Sequence, residues 1–169
     1  MVLEAILDEK FFDQLRTKEQ LGYYVSSMQL NTRGVLALSF CIQSSEYSPV
    51  TLQDRILQFV GKDFPETILT EQVFSDYKKG LLARKKKGFR DMNEESEYLF
   101  NNMKTFTLQR AGRIEWNRLE LEIDYLENSL TYEHVVEFYR VNLLAPDVHP
   151  VIFRVFSQKF KDQAQYLSL

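Results

Sequence analysis

The two histidines, His134 and His149, are the first side chains of this sequence to consider for metal chemistry. Zinc catalysis needs about three protein ligands and an open position for water. The run H-V-V-E-F from His134 to Phe138 matches four positions of the inverted zinc motif H-x-x-E-H, but it ends on a phenyl ring, which cannot bind zinc. We therefore interpret the run as a helix with Phe138 facing the core and His134 in its first turns, and His149 as a solvated loop residue. The sequence predicts no metal site.

Cys41 is the single cysteine, so an internal disulfide is excluded. A nucleophilic thiol needs a nearby base and an accessible, electropositive setting, whereas Cys41 lies in the apolar run L-S-F-C-I. We interpret it as a small buried hydrophobic residue. The sequence has no G-x-S-x-G motif and only six glycines, which gives no support to a serine hydrolase or a nucleotide-binding loop.

The charge balance argues against nucleic acid or an anionic membrane as a partner, because 21 basic and 24 acidic residues give a net charge of −3. A basic run is interpreted as a positive helix end that complements the helix dipole, the alternative being a surface for anions or acidic substrates. An acidic cluster is interpreted as a solvated helix face. The basic run comprises Lys78, Lys79, Arg84–Lys87 and Arg90, and the acidic cluster comprises Glu120, Glu122, Asp124 and Glu127.

Apolar residues recur at every fourth position from Leu3 to Leu15, which predicts an amphipathic helix at the start of the chain. Gly22 ends that pattern. Two runs follow, Tyr23–Leu30 and Val35–Gln43, and their aromatic and β-branched residues around a short N-T-R-G turn predict a β-hairpin.

Helical spacing and capping residues predict five further helices. The six-residue run Val151–Phe156 then predicts a strand that pairs back into the sheet of the hairpin. Three strands form a thin sheet, so we expect that N-terminal strands of the same domain are missing. The five helices are one from Ser48 and Pro49 to Pro65; one from Thr70 to near Gly88; one with Tyr98, Leu99, Asn102, Met103 and Phe106; one with Trp116, Leu119, Ile123 and Leu126; and one capped by Thr131 with Val135, Phe138 and Tyr139.

Together these elements predict one α+β domain over residues 1–169, in which helices pack on one face of a small antiparallel sheet. The N-terminus has no basic leader followed by an apolar stretch, which argues against a secretory signal. No apolar run approaches the roughly 18 residues of a membrane span. With one cysteine, a reducing compartment is the simpler expectation, and we expect a cytoplasmic protein.

The helix and the hairpin are joined by the octet R-T-K-E-Q-L-G-Y, from Arg16 to Tyr23. It closely resembles the corresponding segment in the C-terminal half of insulin-degrading, or insulysin-like, zinc peptidases of the pitrilysin (insulinase) family. The resemblance extends more loosely over the whole chain, including F-C-I-Q-S after Ser39 and L-T-Y-E before His134. The fold that it implies is the repeated α+β domain of the pitrilysin and mitochondrial-processing-peptidase family.

The resemblance implies a metalloendopeptidase of two halves that close around peptide substrates. It places the zinc motif and the catalytic glutamate in the N-terminal half, and it leaves the C-terminal half without metal. The residues that match Arg16 and Tyr23 reach across to hydrogen-bond the substrate at the scissile bond, as catalytic and substrate-binding residues. Phe12, one helical turn earlier, is a candidate lining residue for an apolar substrate side chain.

These residue types suit that role, because Arg16 offers a planar fork of donors and Tyr23 a phenolic hydroxyl. Donors held where negative charge develops on a peptide carbonyl lower the barrier. Gly22 is expected to let the chain turn so that the two side chains converge. Without the octet, helix-dipole and packing preferences would explain Arg16 and Tyr23 equally well.

The sequence thus favours the C-terminal, metal-free domain of a zinc metallopeptidase, inactive in proteolysis by itself because it lacks H-x-x-E-H. Its expected partners are the N-terminal catalytic half of the same polypeptide, which is expected to hold the zinc, and peptide substrates; an oligomer is compatible with it. The alternative is a catalytically inactive peptide-binding or structural subunit of the same fold, as in the mitochondrial processing and respiratory-complex group.

Overall fold

The computed structural model describes residues 2–32, 35–109 and 117–166. Helices pack on one face of a two-stranded antiparallel sheet, so the predicted α+β class is confirmed. Three of the helices continue without a break into wider π-helical turns. The elements are α1 (Val2–Phe12, continued by Asp13–Lys18), β1 (Tyr24–Thr32), β2 (Val35–Gln43), α2 (Pro49–Gln58, continued by Phe59–Ile68), α3 (Glu71–Lys86), α4 (Met92–Gln109), α5 (Arg118–Asp124, continued by Tyr125–Ser129), α6 (Tyr132–Leu143) and a 3₁₀ segment (Gln158–Tyr166).

Helix α1 forms the centre of the core, because its predicted apolar stripe is buried between the sheet and the other helices. Phe11 is fully buried, and its ring lies 5.2 Å from that of Phe40 on β2 and 5.3 Å from that of Phe59 at the end of α2. Burying a side chain of this size stabilises the fold by about 1.5–3 kcal/mol. The stripe continues through Leu15, so the start of the octet is anchored in the core.

The hairpin is confirmed, and its register decides which side chains face α1. Val25 lies opposite Ile42 and Ser27 lies opposite Phe40, and these positions turn toward the helices. Cys41 lies between Phe40 and Ile42 on β2, so its side chain points to the opposite face of the sheet. It is exposed, and the prediction of a buried cysteine was wrong. Alternation along a strand puts Cys41 on the sheet face opposite α1, which no described helix covers.

The predicted helix starts are confirmed by their caps. Ser48 accepts a hydrogen bond from the backbone N–H of Thr51, Thr70 from that of Val73, and Thr131 from that of His134. Each cap satisfies a donor that would otherwise have no partner in the first turn, and the effect is typically worth about 1 kcal/mol.

One helix boundary needs correction. The helix from Ser48 does not end at Pro65 but continues to Ile68, because Phe64 is fully buried against Tyr139 and the N–H of Leu69 closes a wide turn on the carbonyl of Phe64. Trp116 lies outside the described residues.

Helix α6 also turns Phe138 away from the core, so its predicted burial was wrong. The core-facing stripe of α6 passes through Tyr132, Val135, Tyr139 and Leu143, spaced three or four residues apart. Phe138 lies beside that stripe, and about half of its surface is exposed. The helical period was predicted correctly, but the side of the helix that meets the core was not.

The segment Val151–Phe156 is not a strand of the described sheet, and this prediction was wrong. Phe153 is 89% exposed, and no backbone hydrogen bond joins the segment to other described residues. Its attachment is through side chains, since the guanidinium of Arg154 donates to Gln53 on α2. A β-type composition cannot form a strand without a neighbouring sheet edge to pair with.

Candidate functional site

The octet brings Arg16 and Tyr23 into contact. Arg16 lies in the last turns of the first helix and Tyr23 directly precedes β1. The Nε–H of Arg16 donates to the backbone carbonyl of Tyr23 at 3.2 Å, and the guanidinium carbon lies 5.9 Å from the centre of the Tyr23 ring. Tyr23 is 89% exposed and Arg16 is partly buried beside it, so the two side chains share one surface.

The backbone behind this surface is fixed by the core. Leu15 and Leu21, on either side of the turn, are buried, and the N–H of Leu21 donates to the carbonyl of Leu15 at 3.0 Å. The N–H of Tyr23 donates to the carbonyl of Gln43 at 3.1 Å, which attaches the segment to β2. The exposed side chains therefore stand on a backbone with little freedom to move.

Gly22 has a different role from the one predicted. The left-handed backbone conformation of this turn falls on Gln20, with φ of 53°. Gly22 instead lies against β2: a Cβ added there would be 2.2 Å from the carbonyl oxygen of Gln43 and 2.9 Å from its carbon. Only glycine permits this close approach of two backbones.

Phe12 lies on α1 with about half of its surface exposed. It borders an open groove of about 570 Å³, together with Asp8, Glu9, Lys10, Asp13 and Thr17. Arg16 and Tyr23 do not line that groove. The structure therefore joins Arg16 to Tyr23 but does not join Phe12 to them through a shared cavity.

A cluster of charges that the sequence did not reveal lies behind the octet. Arg55 of α2 donates from Nε to the carboxylate of Glu19 at 2.7 Å, and its Nη2 lies 2.8 Å from the carboxylate of Asp63. We call Arg55, Glu19 and Asp63 the Arg55 cluster. Partial burial disfavours ionisation of Glu19, but hydrogen bonds from Arg55 and Gln14 outweigh it and lower the pKa of this carboxyl. Because Arg55 and Glu19 are 36 residues apart, no sequence spacing marks the pair.

Two lysines of the basic run at the end of α3 pair with α5 and its continuation. Lys85 lies 2.6 Å from the carboxylate of Glu122, which also accepts from Arg118 at 2.9 Å. We call these three the Lys85 cluster. The prediction of a solvated acidic face is wrong for Glu122, whose side chain is 14% exposed. Burial opposes its ionisation, yet the two cations keep the pKa of Glu122 low. Lys86 pairs with Glu127 and Lys78 donates to the carbonyl of Leu130, which favours a structural role for the run.

The histidines take the places predicted for them. His134 lies in the first turn of α6, where its backbone N–H and its Nδ1 complete a capping box with Thr131. His149 is exposed in a loop.

Among the described residues, no three His, Cys, Asp or Glu side chains are grouped so that they could hold a metal ion. In the same part of the chain, no helix has the length and apolarity to cross a membrane.

Comparison with known proteins gives a consistent result. A protein-family model described as "PQQ synthase PqqF-like, C-terminal lobe domain 4" matches residues 2–100. A nardilysin-like protein of Arabidopsis thaliana is 43% identical over 49% of this chain, and the human insulin-degrading enzyme is 29% identical over 91% of it. The A-factor-processing enzyme of Saccharomyces cerevisiae is 33% identical over 76% of the chain.

A structural match supports the same fold. The crystal structure of pitrilysin superimposes on 86% of this chain with a TM-score of 0.63, at 20% sequence identity. The chain spans only 8% of the Arabidopsis protein, 13% of the yeast enzyme, 15% of the human enzyme and 15% of the pitrilysin chain. It thus corresponds to one part of much longer proteins. The chain belongs to the insulinase, or pitrilysin, family of peptidases, as a domain of their C-terminal lobe.

Proposed function

We propose that this chain helps to enclose peptide substrates and donates hydrogen bonds to the scissile peptide from Arg16 and Tyr23, as part of a longer metalloendopeptidase. The observation that carries the proposal is the convergence of these two side chains on one exposed surface. They do so in a segment whose backbone is fixed by buried Leu15 and Leu21.

The geometry of Arg16 suits a donor to a peptide oxygen. Its Nε–H is already used by the carbonyl of Tyr23, which orients the guanidinium plane. Among the described residues, none forms a hydrogen bond or ion pair with its terminal nitrogens, and these remain free to donate to a ligand. A peptide carbonyl that gains negative charge during hydrolysis accepts such hydrogen bonds more strongly than in the ground state.

The residues described here do not fit a zinc site, so no step of the reaction is assigned to a metal on this chain. We infer that zinc is bound by another half of the longer protein, which is also the expected partner of this domain. By this proposal the isolated chain binds no stoichiometric zinc and cleaves no peptide.

The test uses the longer protein that contains this chain and follows cleavage of a fluorogenic peptide. Arg16→Ala and Tyr23→Phe should each lower turnover by about 100- to 1,000-fold, as expected for the loss of one donor to a developing charge. Zinc content should not change in either variant. Arg140→Ala is the matched control, because Arg140 is an exposed arginine whose partner is Glu137 on its own helix.

Two results would contradict the proposal. Normal turnover in both variants would refute the assigned roles. If the wild-type form of the longer protein that contains this chain binds peptides but does not cleave them, the alternative is favoured. That alternative is a catalytically inactive peptide-binding or structural subunit of the same fold. Titration of that protein with a labelled, uncleaved peptide separates binding from hydrolysis.

A further inference from the structure

Arg55 connects the octet to the helix behind it. Its guanidinium bonds to two carboxylates that belong to different elements: Glu19 in the octet and Asp63 in the turns that follow α2. The side chain of Arg55 is 16% exposed and that of Glu19 is 24% exposed, so solvent screens the pair only partly. Two parallel bonds from a planar guanidinium to one carboxylate fix its orientation as well as its distance.

Glu19 is held from a second side by its own helix. Gln14 donates from Nε2 to a carboxylate oxygen of Glu19 at 2.8 Å, and the backbone N–H of Glu19 donates to the carbonyl of Gln14 at 3.0 Å. The next residue, Gln20, has the left-handed backbone conformation. This conformation is unfavourable for a residue with a side chain, so it persists only where the surroundings enforce it.

Because Glu19 lies between Arg16 and Tyr23 in the octet, the bonds that hold Glu19 also affect the placement of these two residues. Arg16 precedes Glu19 by three residues, Tyr23 follows it by four, and the strained residue lies between Glu19 and Tyr23. The bond from Arg16 to the carbonyl of Tyr23 spans this same turn. A change in the turn therefore alters the relative placement of the two donors.

We propose that Arg55 and Glu19 are positioning residues, which hold the turn of the octet so that Arg16 and Tyr23 present their donors to one substrate oxygen. This inference rests on the proposed function of Arg16 and Tyr23. Neither Arg55 nor Glu19 touches the substrate in this account. Their effect is transmitted through the backbone from Glu19 to Tyr23.

The Lys85 cluster offers a matched control for this effect. Lys85 and Glu122 are 13% and 14% exposed, similar to the Arg55 pair, and they also join two helices. No hydrogen bond or ion pair in the described residues connects the Lys85 cluster to the octet. Loss of Lys85 should therefore disturb the fold without acting on Arg16 and Tyr23.

The experiment is a double-mutant cycle in the longer protein, with cleavage of a fluorogenic peptide and thermal unfolding as readouts. Arg55→Met should lower kcat by about 10- to 100-fold, the cost of misplacing a group that contacts the reacting atoms. In a background that carries both Arg16→Ala and Tyr23→Phe, the same substitution should have little further effect, because both donors that it misplaces are absent. Lys85→Met should lower the unfolding temperature while leaving kcat close to that of the wild type.

Glu19→Gln is the second variant, because it keeps the shape of the side chain but removes the charge that Arg55 binds and replaces one acceptor oxygen by an NH2 donor. Glu19→Gln should also lower kcat. Arg55→Lys should lower kcat less than Arg55→Met does but should not restore the wild-type value, since a lysine cannot make two parallel bonds to Glu19. Equal effects of Arg55→Met in both backgrounds, or normal kcat in Arg55→Met and Glu19→Gln, would overturn the inference. Normal turnover in both Arg16→Ala and Tyr23→Phe would instead overturn the proposed function.

Discussion

The Arg55 and Lys85 clusters are alike in their electrostatics and different in what they hold. Each places a cation against a carboxylate with little exposure to solvent, and in each the pKa of the carboxyl, Glu19 or Glu122, is lowered. The Lys85 cluster joins α3 to α5 and, in the described residues, is not bonded to the octet. The Arg55 cluster holds the turn that carries Arg16 and Tyr23. Location, and not the strength of an ion pair, therefore distinguishes a cluster that can support a site from one that stabilises the fold.

The largest expected effect comes from Gly22→Ala, on the side of the molecule that holds the octet. The added Cβ would be 2.2 Å from the Gln43 carbonyl oxygen, so β1 and β2 must move apart at this point. We expect a loss of about 1–3 kcal/mol in the free energy of unfolding, measured by urea denaturation, as for other overpacked sites. Turnover of the longer protein should fall as well.

Gly80→Ala is the control for this substitution, since Gly80 lies inside α3, the helix that carries Lys85. Nothing lies within 4 Å of a Cβ added there. Alanine should stabilise the helix by roughly 0.5–1 kcal/mol, because it loses less conformational freedom than glycine on folding. If both substitutions had the same small effect on unfolding, the close approach of Gly22 to β2 would not be a constraint.

A smaller effect is expected when Arg55 or Lys85 is removed. Arg55→Met leaves Glu19 and Asp63 without the cation that they share, and Lys85→Met leaves Glu122 with Arg118 alone. Each substitution should cost about 1–2 kcal/mol after allowance for the remaining exposure. Urea denaturation of the two variants measures this directly. The comparison predicts similar losses of stability and different losses of turnover. A much larger loss of stability in Arg55→Met would argue that its effect on turnover is a consequence of unfolding.

The smallest expected effect is a loss of folding stability at low pH. The pKa values of Glu19 and Glu122 are lowered in the fold from an ordinary value of 4.5, so the unfolded state binds more protons as the pH falls below that value. The stability that these carboxylates contribute is therefore complete above about pH 4.5 and is lost as the pH falls through their lowered pKa values. Thermal unfolding between about pH 6 and 3 should show this loss. Glu19→Gln and Glu122→Gln should each reduce the slope, and an unchanged slope in both would contradict the pairing.

Features that depend on neighbouring residues were predicted well from the sequence. Caps at Ser48, Thr70 and Thr131 are confirmed, because a side-chain oxygen and the N–H three residues later are close in any helix start. The hairpin is confirmed for a similar reason, since its two strands are joined by a short turn. The octet identified Arg16 and Tyr23 as a pair by its resemblance to a family segment.

Features that depend on which surfaces meet were predicted less well. Cys41 and Phe138 lie in elements whose type was predicted correctly, yet both turn away from the core. Val151–Phe156 has a composition typical of a strand but has no strand partner in the described sheet. A period of two or of 3.6 residues separates the faces of an element, but it does not specify which face another element will cover.

The sequence by itself therefore determined the helices, the hairpin and the segment that presents Arg16 and Tyr23, because each of these follows from residues close together in the chain. Only the tertiary structure decided how that segment is held. The guanidinium of Arg55 reaches Glu19 across 36 residues, and Gly22 lies against a carbonyl of β2. Both contacts depend on the packing of α1 against the hairpin, α3 and the continuation of α2, an arrangement set by burial of the whole core rather than by any local motif.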